Sequence, residues 1–458
     1  MSNVVRLGEI ADIIRGISFP KDAKSLQQRV GDVACLRTTN VQKQVEWDDL
    51  WFVPAEHVKR DEQYVRAGDI LISTANSYEL VGKVAPVTVT PHKATLGAFI
   101  SLIRPRDGVE PKYLYHQLAW GKTQSRIRET ASTTTNIANV STKKLGALDL
   151  SIPSRDEQRA TVAEIEKQFS RLDEAVAGLK RIKANLKRYK AAVLKSAVAG
   201  RLVPTEADLA RREGCCYETG AELLQRILET RRSQWQGKGN YKEPAAPDTT
   251  DLAELPEGWV WANCDGVVTN IEAGASFKCT ETPPENGETG VLKVSAVTWG
   301  TFDESESKTC NDPERVEEGY LVRAGDFLFS RANTIDLVGA CVIVQHISKR
   351  LMLSDKTLRF KVAPQVQADW LLICLRSKLG RDEIERLATG NQESMRNIGQ
   401  ERIRQIRLPL PPLPEQHRIV AEVDRLLSIA REVEAEVDAN LKRAQGLRQA
   451  VLSKVFSA

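Results

Sequence analysis

Most of this chain is written twice at a nearly constant offset, and that repeat restricts the fold more than any single motif. Glu157-Gln158 recurs as Glu415-Gln416, and Ala192-Val193-Leu194 as Ala450-Val451-Leu452, both 258 positions later. Gly16-Ile17-Ser18-Phe19 matches Gly274-Ala275-Ser276-Phe277, again at 258. Arg66-Ala67-Gly68-Asp69 faces Arg323-Ala324-Gly325-Asp326, and Leu80-Val81-Gly82 equals Leu337-Val338-Gly339, at 257. Leu36-Arg37-Thr38-Thr39-Asn40-Val41 resembles Leu292-Lys293-Val294-Ser295-Ala296-Val297 at 256. Offsets this steady describe one globular module plus one helix, duplicated. A short-period solenoid would repeat every 20 to roughly 50 residues.

The helix is the stretch from Ser154 to Gly200. Ser154-Arg155-Asp156-Glu157 is a capping-box pattern, and Gly200 stands where a C-terminal cap would. Between them Ile165, Phe169, Leu172, Val176, Leu179, Ile182, Leu186, Tyr189 and Val193 step by three and four, a coiled-coil seam. At 1.5 Å per residue the helix would be roughly 65 Å long. Gly178 is the one interior residue against it, at about 1 kcal/mol. A narrow seam needs a partner, and the chain supplies its own, so the two long helices are expected to pack antiparallel.

With 458 residues, two or three domains are expected. A composition of 41% hydrophobic and 28% charged residues is that of a soluble globular protein. No apolar run reaches membrane-span length, and the N-terminus lacks a signal-peptide core, so the expected compartment is the cytoplasm. Eight cysteines without a C-x-x-C pair suggest neither a disulfide framework nor a zinc site. The net charge of +4 does not announce a nucleic-acid binder, although Lys180, Arg181, Lys183, Lys187, Arg188 and Lys190 form a basic strip open to an acidic partner or to solvent alone.

Each module reads as α+β. Ala-Gly-Asp is a tight turn delivering the chain into Ile70-Leu71-Ile72 or Phe327-Leu328-Phe329, both short strands. Further strands are expected at 84–89 and 340–344, and short helices at 111–118 and 370–375. Between the copies, 220–228 reads as helix and 236–256 as an exposed linker.

A search for catalytic constellations is negative. Gly121-Lys122-Thr123 has the tail of a phosphate loop, but His116 occupies the required upstream glycine position. Thr282-Pro283-Pro284-Glu285 lacks the polar acceptor and the aromatic of an adenine methylase motif, and the five histidines are scattered. Polar loops do recur at matching places. One class is Thr38 and Asn40 with Lys293 and Ser295. A second is Ser73, Thr74 and Asn76 with Arg331 and Asn333. A third is Thr134 and Asn136 with Asn391 and Gln392. These side-chain types read base edges and phosphates, although any one of them suits an ordinary turn equally well.

Two variable modules, each followed by a long helix entered through Ile152-Pro153-Ser154-Arg155-Asp156-Glu157-Gln158 or Pro411-Pro412-Leu413-Pro414-Glu415-Gln416, resemble the specificity subunit of a type I restriction–modification system. Leu255-Pro256-Glu257-Gly258-Trp259, opening the second module, is similar as well. The first copy departs from the proline-rich entrance. The resemblance implies two tandem mixed α/β target recognition domains, residues 1–153 and 255–413, separated by antiparallel coiled-coil helices at 154–200 and 414–458, with a helical segment and flexible linker at 201–254. It implies a non-catalytic subunit without a cofactor of its own. Its partners would be double-stranded DNA, two methylase subunits bringing S-adenosylmethionine and two restriction subunits bringing ATP-dependent cleavage. Glu157, Gln158, Lys187, Glu415 and Gln416 would dock them. The residues alone leave open a coiled-coil adaptor with two protein-binding modules, and an enzyme in its own right.

Overall fold

A computed structural model describes residues 3–134, 137–237, 239–285, 287–392 and 395–457, with the backbone only for Asn3, Asn391 and Gln392. The chain divides into two units, Met1–Arg181 with Val437–Ala458, and Ile182–Glu436.

In the first unit, Asn3–Arg6 pairs with Asp149–Ile152. A four-stranded antiparallel sheet runs in the order Ala11–Arg15, Ile100–Pro105, Ile70–Ser73, Val84–Pro86. A second sheet runs Trp51–Pro54, Asp32–Leu36, Ala94–Leu96, the last pair parallel. A third, small sheet runs Ser132–Thr133, Ala138–Asn139, Ala75–Asn76. Helices Pro111–Ala119 and Gly121–Glu129 complete the module.

The second unit repeats this order strand for strand. Val260–Asn263 pairs with Arg407–Leu410. The four-stranded sheet is Val268–Ala273, Thr357–Val362, Phe327–Ser330, Cys341–Ile343. The mixed sheet is Ser307–Thr309, Thr289–Leu292, Arg350–Met352, and the small sheet Thr389–Gln392, Met395–Asn397, Ala332–Asn333. Helices Ala368–Arg376 and Lys378–Leu387 follow. The α+β duplication expected from the offsets is the architecture observed.

The uninterrupted apolar strands follow from their position. Successive side chains point to opposite faces, so a strand with both faces covered needs no polar alternation. Ile70 and Ile72 pack with Leu114, Leu118 and Ile127 of the helices. Leu71, between them, packs with Leu36, Leu96 and Leu102 toward the mixed sheet. Phe327 and Phe329 face Trp370, Leu371 and Ile384, while Leu328 faces Leu292 and Leu351.

The Ala-Gly-Asp turns are built identically and secured differently. Gly68 and Gly325 take φ of 90° and 89°, a conformation that a side chain would strain. Asp69 accepts from Arg66 N at 2.7 Å, and Asp326 from Arg323 N at 2.9 Å. Arg104 then donates to Asp69 at 2.8 Å and to the carbonyls of Glu62 and Tyr64. Arg359 donates to Asp326 at 3.0 Å and to the carbonyls of Gly319 and Leu321. Ile103 pairs with Ile70 and Phe360 with Phe327, so the two arginines stand two residues apart in register, on the same strand face.

The long helices are Arg155–Val198 and Leu413–Phe456, 44 residues each. Ser154 N donates to Glu157 at 3.0 Å, the expected box. Gly200 has φ of 64°, and a Cβ there would lie 2.4 Å from Pro256 Cγ. In the first unit Asp173 pairs with Arg448, whose guanidinium lies over the Phe169 ring. In the second unit Lys190 pairs with Glu434. Within the first unit Lys454 lies near Glu164 and Arg448 pairs with Asp173, so position falls on one helix as it rises on the other and the packing there is antiparallel. Ile165 and Val193 are buried, whereas Ile182, Tyr189, Ile429 and Val433 stay exposed, so the helix pair leaves part of its apolar surface uncovered.

Residues 201–254 belong to the second unit, not to a free connection. Glu206–Glu213 and Gly220–Ser233 are helices, and Leu223 and Ile227 are buried in one core with Trp259 and Ala262. The irregular stretch after them is largely exposed yet held, with Arg407 donating to Asp248 O and Asp251, and Asn263 Nδ2 to Ala245 O.

Candidate nucleic-acid interface

Two of the three recurring polar loops converge in each unit. The strand Ala75–Asn76 takes Ala138–Asn139 as its antiparallel partner, which joins the Ser73–Asn76 loop to the 132–139 hairpin. Ala332–Asn333 takes Met395–Asn397 in the same way. Backbone bonds fix the junction: Thr74 N and Ala75 N both donate to Phe99 O, and Val140 N donates to Thr74 O. In the second unit Arg331 N donates to Lys356 O, and Ile398 N to Arg331 O.

The candidates occupy different places on this frame. Thr74 lines a cleft beside the hairpin. Ser73 is buried and receives Asn76 Nδ2 at 3.3 Å. The Asn76 and Asn333 side-chain oxygens each accept the next backbone N–H at 2.9 Å, so both shape their turns. Arg331 Nε donates to Asn397 Oδ1 at 3.4 Å. Thr134 is exposed at the hairpin tip and donates to Ile137 O. Asn136 lies outside the described residues, and Asn391 and Gln392 are described by backbone alone.

The first loop class is corrected. Asn40 is 1% exposed; it donates to the carbonyls of Glu46 and Asp49 and accepts from Arg37 N. It holds its loop and has no edge left for a base. Thr38 starts that same turn. Lys293 Nζ donates to Glu281 O, and Ser295 donates to Glu306 at 2.5 Å. Carboxylates flanking both oppose an incoming phosphate.

Four residues of the frame escaped the loop-by-loop reading: Phe99, Lys356, Lys144 and Arg402. Lys144 donates to Thr130 O and Ser132, and Arg402 donates to Leu387 O. Extending the repeat offset from Asn139 and Asn397, the residues opposite Ala75 and Ala332, aligns this pair of cations.

Three of the five docking candidates are taken up within the chain. Gln158 and Gln416 are buried. Gln158 accepts from Glu110 N and donates to Pro153 O, and Gln416 accepts from Gln367 N and donates to Pro411 O. Each glutamine ties its long helix to the start of the short helix in its module. Glu415 is buried and accepts from Glu206 N and Trp259 Nε1 at 2.9 Å. Burial raises its carboxyl above the usual range, against the opposing pull of those bonds. All three are spent inside the chain. Glu157 and Lys187 are exposed. Among the described residues, no group of three or more His, Cys, Asp or Glu could hold a metal ion.

The α+β module thus occurs twice, each copy with a small hairpin sheet built on the same frame. The profile described as type I restriction modification DNA specificity domain matches residues 2–188 and 266–443, so the chain belongs to that family of type I restriction–modification specificity subunits. The EcoKI specificity subunit of Escherichia coli (strain K12) is 23% identical over 458 residues, covering 99% of this chain and 88% of that one. The EcoEI specificity subunit of Escherichia coli is 28% identical over 300 residues, 63% of this chain and 49% of that subunit, about half its length. Among solved structures, the HsdS subunit from Thermoanaerobacter tengcongensis superposes with a TM-score of 0.53 at 18% identity, covering 99% of this chain and 96% of that one. A chain from a study of complex assembly and conformational transition of the type I R-M system gives 0.62 at 17%, covering 99% and 97%.

Proposed function

We propose that the chain is the non-catalytic subunit that reads DNA for a type I restriction–modification complex, one module for each half of a split, asymmetric target. The observation that carries this is the hairpin face, which occurs twice on one frame with different side chains. Thr74 and Phe99 of the first module correspond to Arg331 and Lys356 of the second. Two faces on one frame with unlike chemistry read two unlike half-sites.

Methylase subunits, carrying S-adenosylmethionine, dock on the exposed apolar and basic positions of the long helices, Ile182, Tyr189 and Lys187 among them. Restriction subunits add ATP-dependent cleavage. Among the described residues, no helix is long and apolar enough to cross a membrane. The test is to co-express the chain with a methylase subunit and map methylated adenines genome-wide. A bipartite motif is expected, and exchange of residues 1–153 should change one half of it. Methylation without a motif, or a swap that alters both halves, refutes the reading. An adaptor with two protein-binding modules would show no sequence-selective, salt-sensitive retention of DNA.

A further inference from the structure

Phe99 is 62% exposed, on a loop whose carbonyl oxygen is held by two backbone N–H groups. An aromatic ring left in solvent gains about 1.5–3 kcal/mol when a ligand covers it fully. Beside it lies a cleft of about 400 Å³, lined by Arg15, Thr74, Ser101, Asn139 and Lys144 as well as Phe99. Ser101 is 1% exposed, and its hydroxyl has no hydrogen-bond partner. A buried donor left unmet is a standing cost that an incoming polar edge removes. The cleft thus combines a π-face, an unmet buried hydroxyl, an amide and two cations.

We propose that this cleft takes one nucleobase of the DNA target, stacked on Phe99 with its edge toward Ser101 and Asn139, while Arg15 and Lys144 meet flanking phosphates. The base must leave the duplex stack, at a cost of a few kcal/mol, which stacking on the ring and charge on the backbone offset. The proposal rests on the DNA-reading function and names how the first module performs it. The second module differs at four of these points: Lys356 stands for Phe99, Arg331 for Thr74, Leu358 for Ser101 and Ala273 for Arg15, while Asn397 and Arg402 keep the amide and the cation of Asn139 and Lys144. Its face holds phosphate and guanine edges by charge, with no ring to stack on.

The test uses the full chain assembled with a methylase subunit, on duplexes carrying the target mapped by methylation. Phe99→Ala should weaken binding about 5- to 150-fold and leave the slope of affinity against salt unchanged. Phe99→Tyr should restore it. Lys356→Ala should reduce that salt slope by about 1. 2-Aminopurine placed along the first half-site should change fluorescence at one position, and Phe99→Ala should abolish the change. If the parent complex selects the target and Phe99→Ala selects it equally well, this proposal fails and the function stands. If the parent complex selects no sequence, both fail. Equal weakening on unrelated DNA with a reduced slope would make Phe99 part of a charge-based grip and overturns stacking. Because Phe99 is exposed, an unchanged melting curve checks that the variant folds.

Discussion

The two modules perform the same structural task with a different distribution of charge. In the second, Glu383 and Arg407 form a buried ion pair at 2.6 Å, joined by Arg386 at 2.9 Å and covered by Asp251. At the matching places the first module has Arg126 and Asp149, the signs exchanged, and Arg126 donates to the Asp149 backbone carbonyl at an exposed site. The stretch before the second module covers Arg407 through Asp248 and Asp251. Glu157 and Glu415 differ as well. One caps its helix in solvent; the other is buried under Glu206 and Trp259. A duplicated frame therefore tolerates exchanged partners, as the arginine displaced between Arg104 and Arg359 also shows, provided every buried charge is still met.

The largest effect should come from breaking the buried pair. Glu383→Ala leaves Arg407 with the exposed Asp251 as its carboxylate partner and should cost the second module about 3–5 kcal/mol in denaturant unfolding. Arg126→Ala should cost the first module less than about 1 kcal/mol. Comparable losses in both would remove the distinction.

Acid should separate the modules in the same direction. Desolvation, the largest influence on Glu383, pushes its carboxyl up. Hydrogen bonds from Arg407 and Arg386 outweigh it and bring it down to about 2 from the ordinary 4.5. A depressed carboxyl stabilises the fold above its unfolded value, and that stability fades as pH falls from 4.5 toward 2. An acid titration followed by a probe in each unit should show the second losing this contribution across that window. Simultaneous loss in Glu383→Gln and parent chains would locate the acid sensitivity elsewhere.

Moving the arginine tests whether the task or the position matters. Arg104→Leu should destabilise the first module by about 2–4 kcal/mol, since Asp69 is buried. Adding Leu102→Arg copies the second module and should recover part of it; no recovery would mean that the site, rather than the strand face, is what counts.

On DNA, Arg331→Ala should weaken the second half-site by about 1–3 kcal/mol and leave the first unchanged. Equal loss on unrelated DNA would assign it to phosphate. The smallest effect belongs to the helix pair, where Lys190→Ala, at a half-exposed ion pair, should shift stability by less than about 1 kcal/mol.

The repeat offset determined much of this protein without any coordinates. It announced two copies of one α+β module, the long helices with their capping box and terminal glycine, and the turns before the central strands. Those features are local in origin: periodicity, caps and permissive glycines act over a few residues. What only the tertiary structure decided was which polar groups remain available. Asn40, Gln158, Glu415 and Gln416 look like surface chemistry in the sequence, yet each is consumed inside the chain, Asn40 within its own loop and the other three by groups from other segments. Phe99 is apolar yet exposed. Whether a side chain faces a ligand or a buried N–H depends on what another segment brings to it. For Glu415 that segment starts about 210 residues earlier in the chain, at Glu206, beyond the reach of any local pattern.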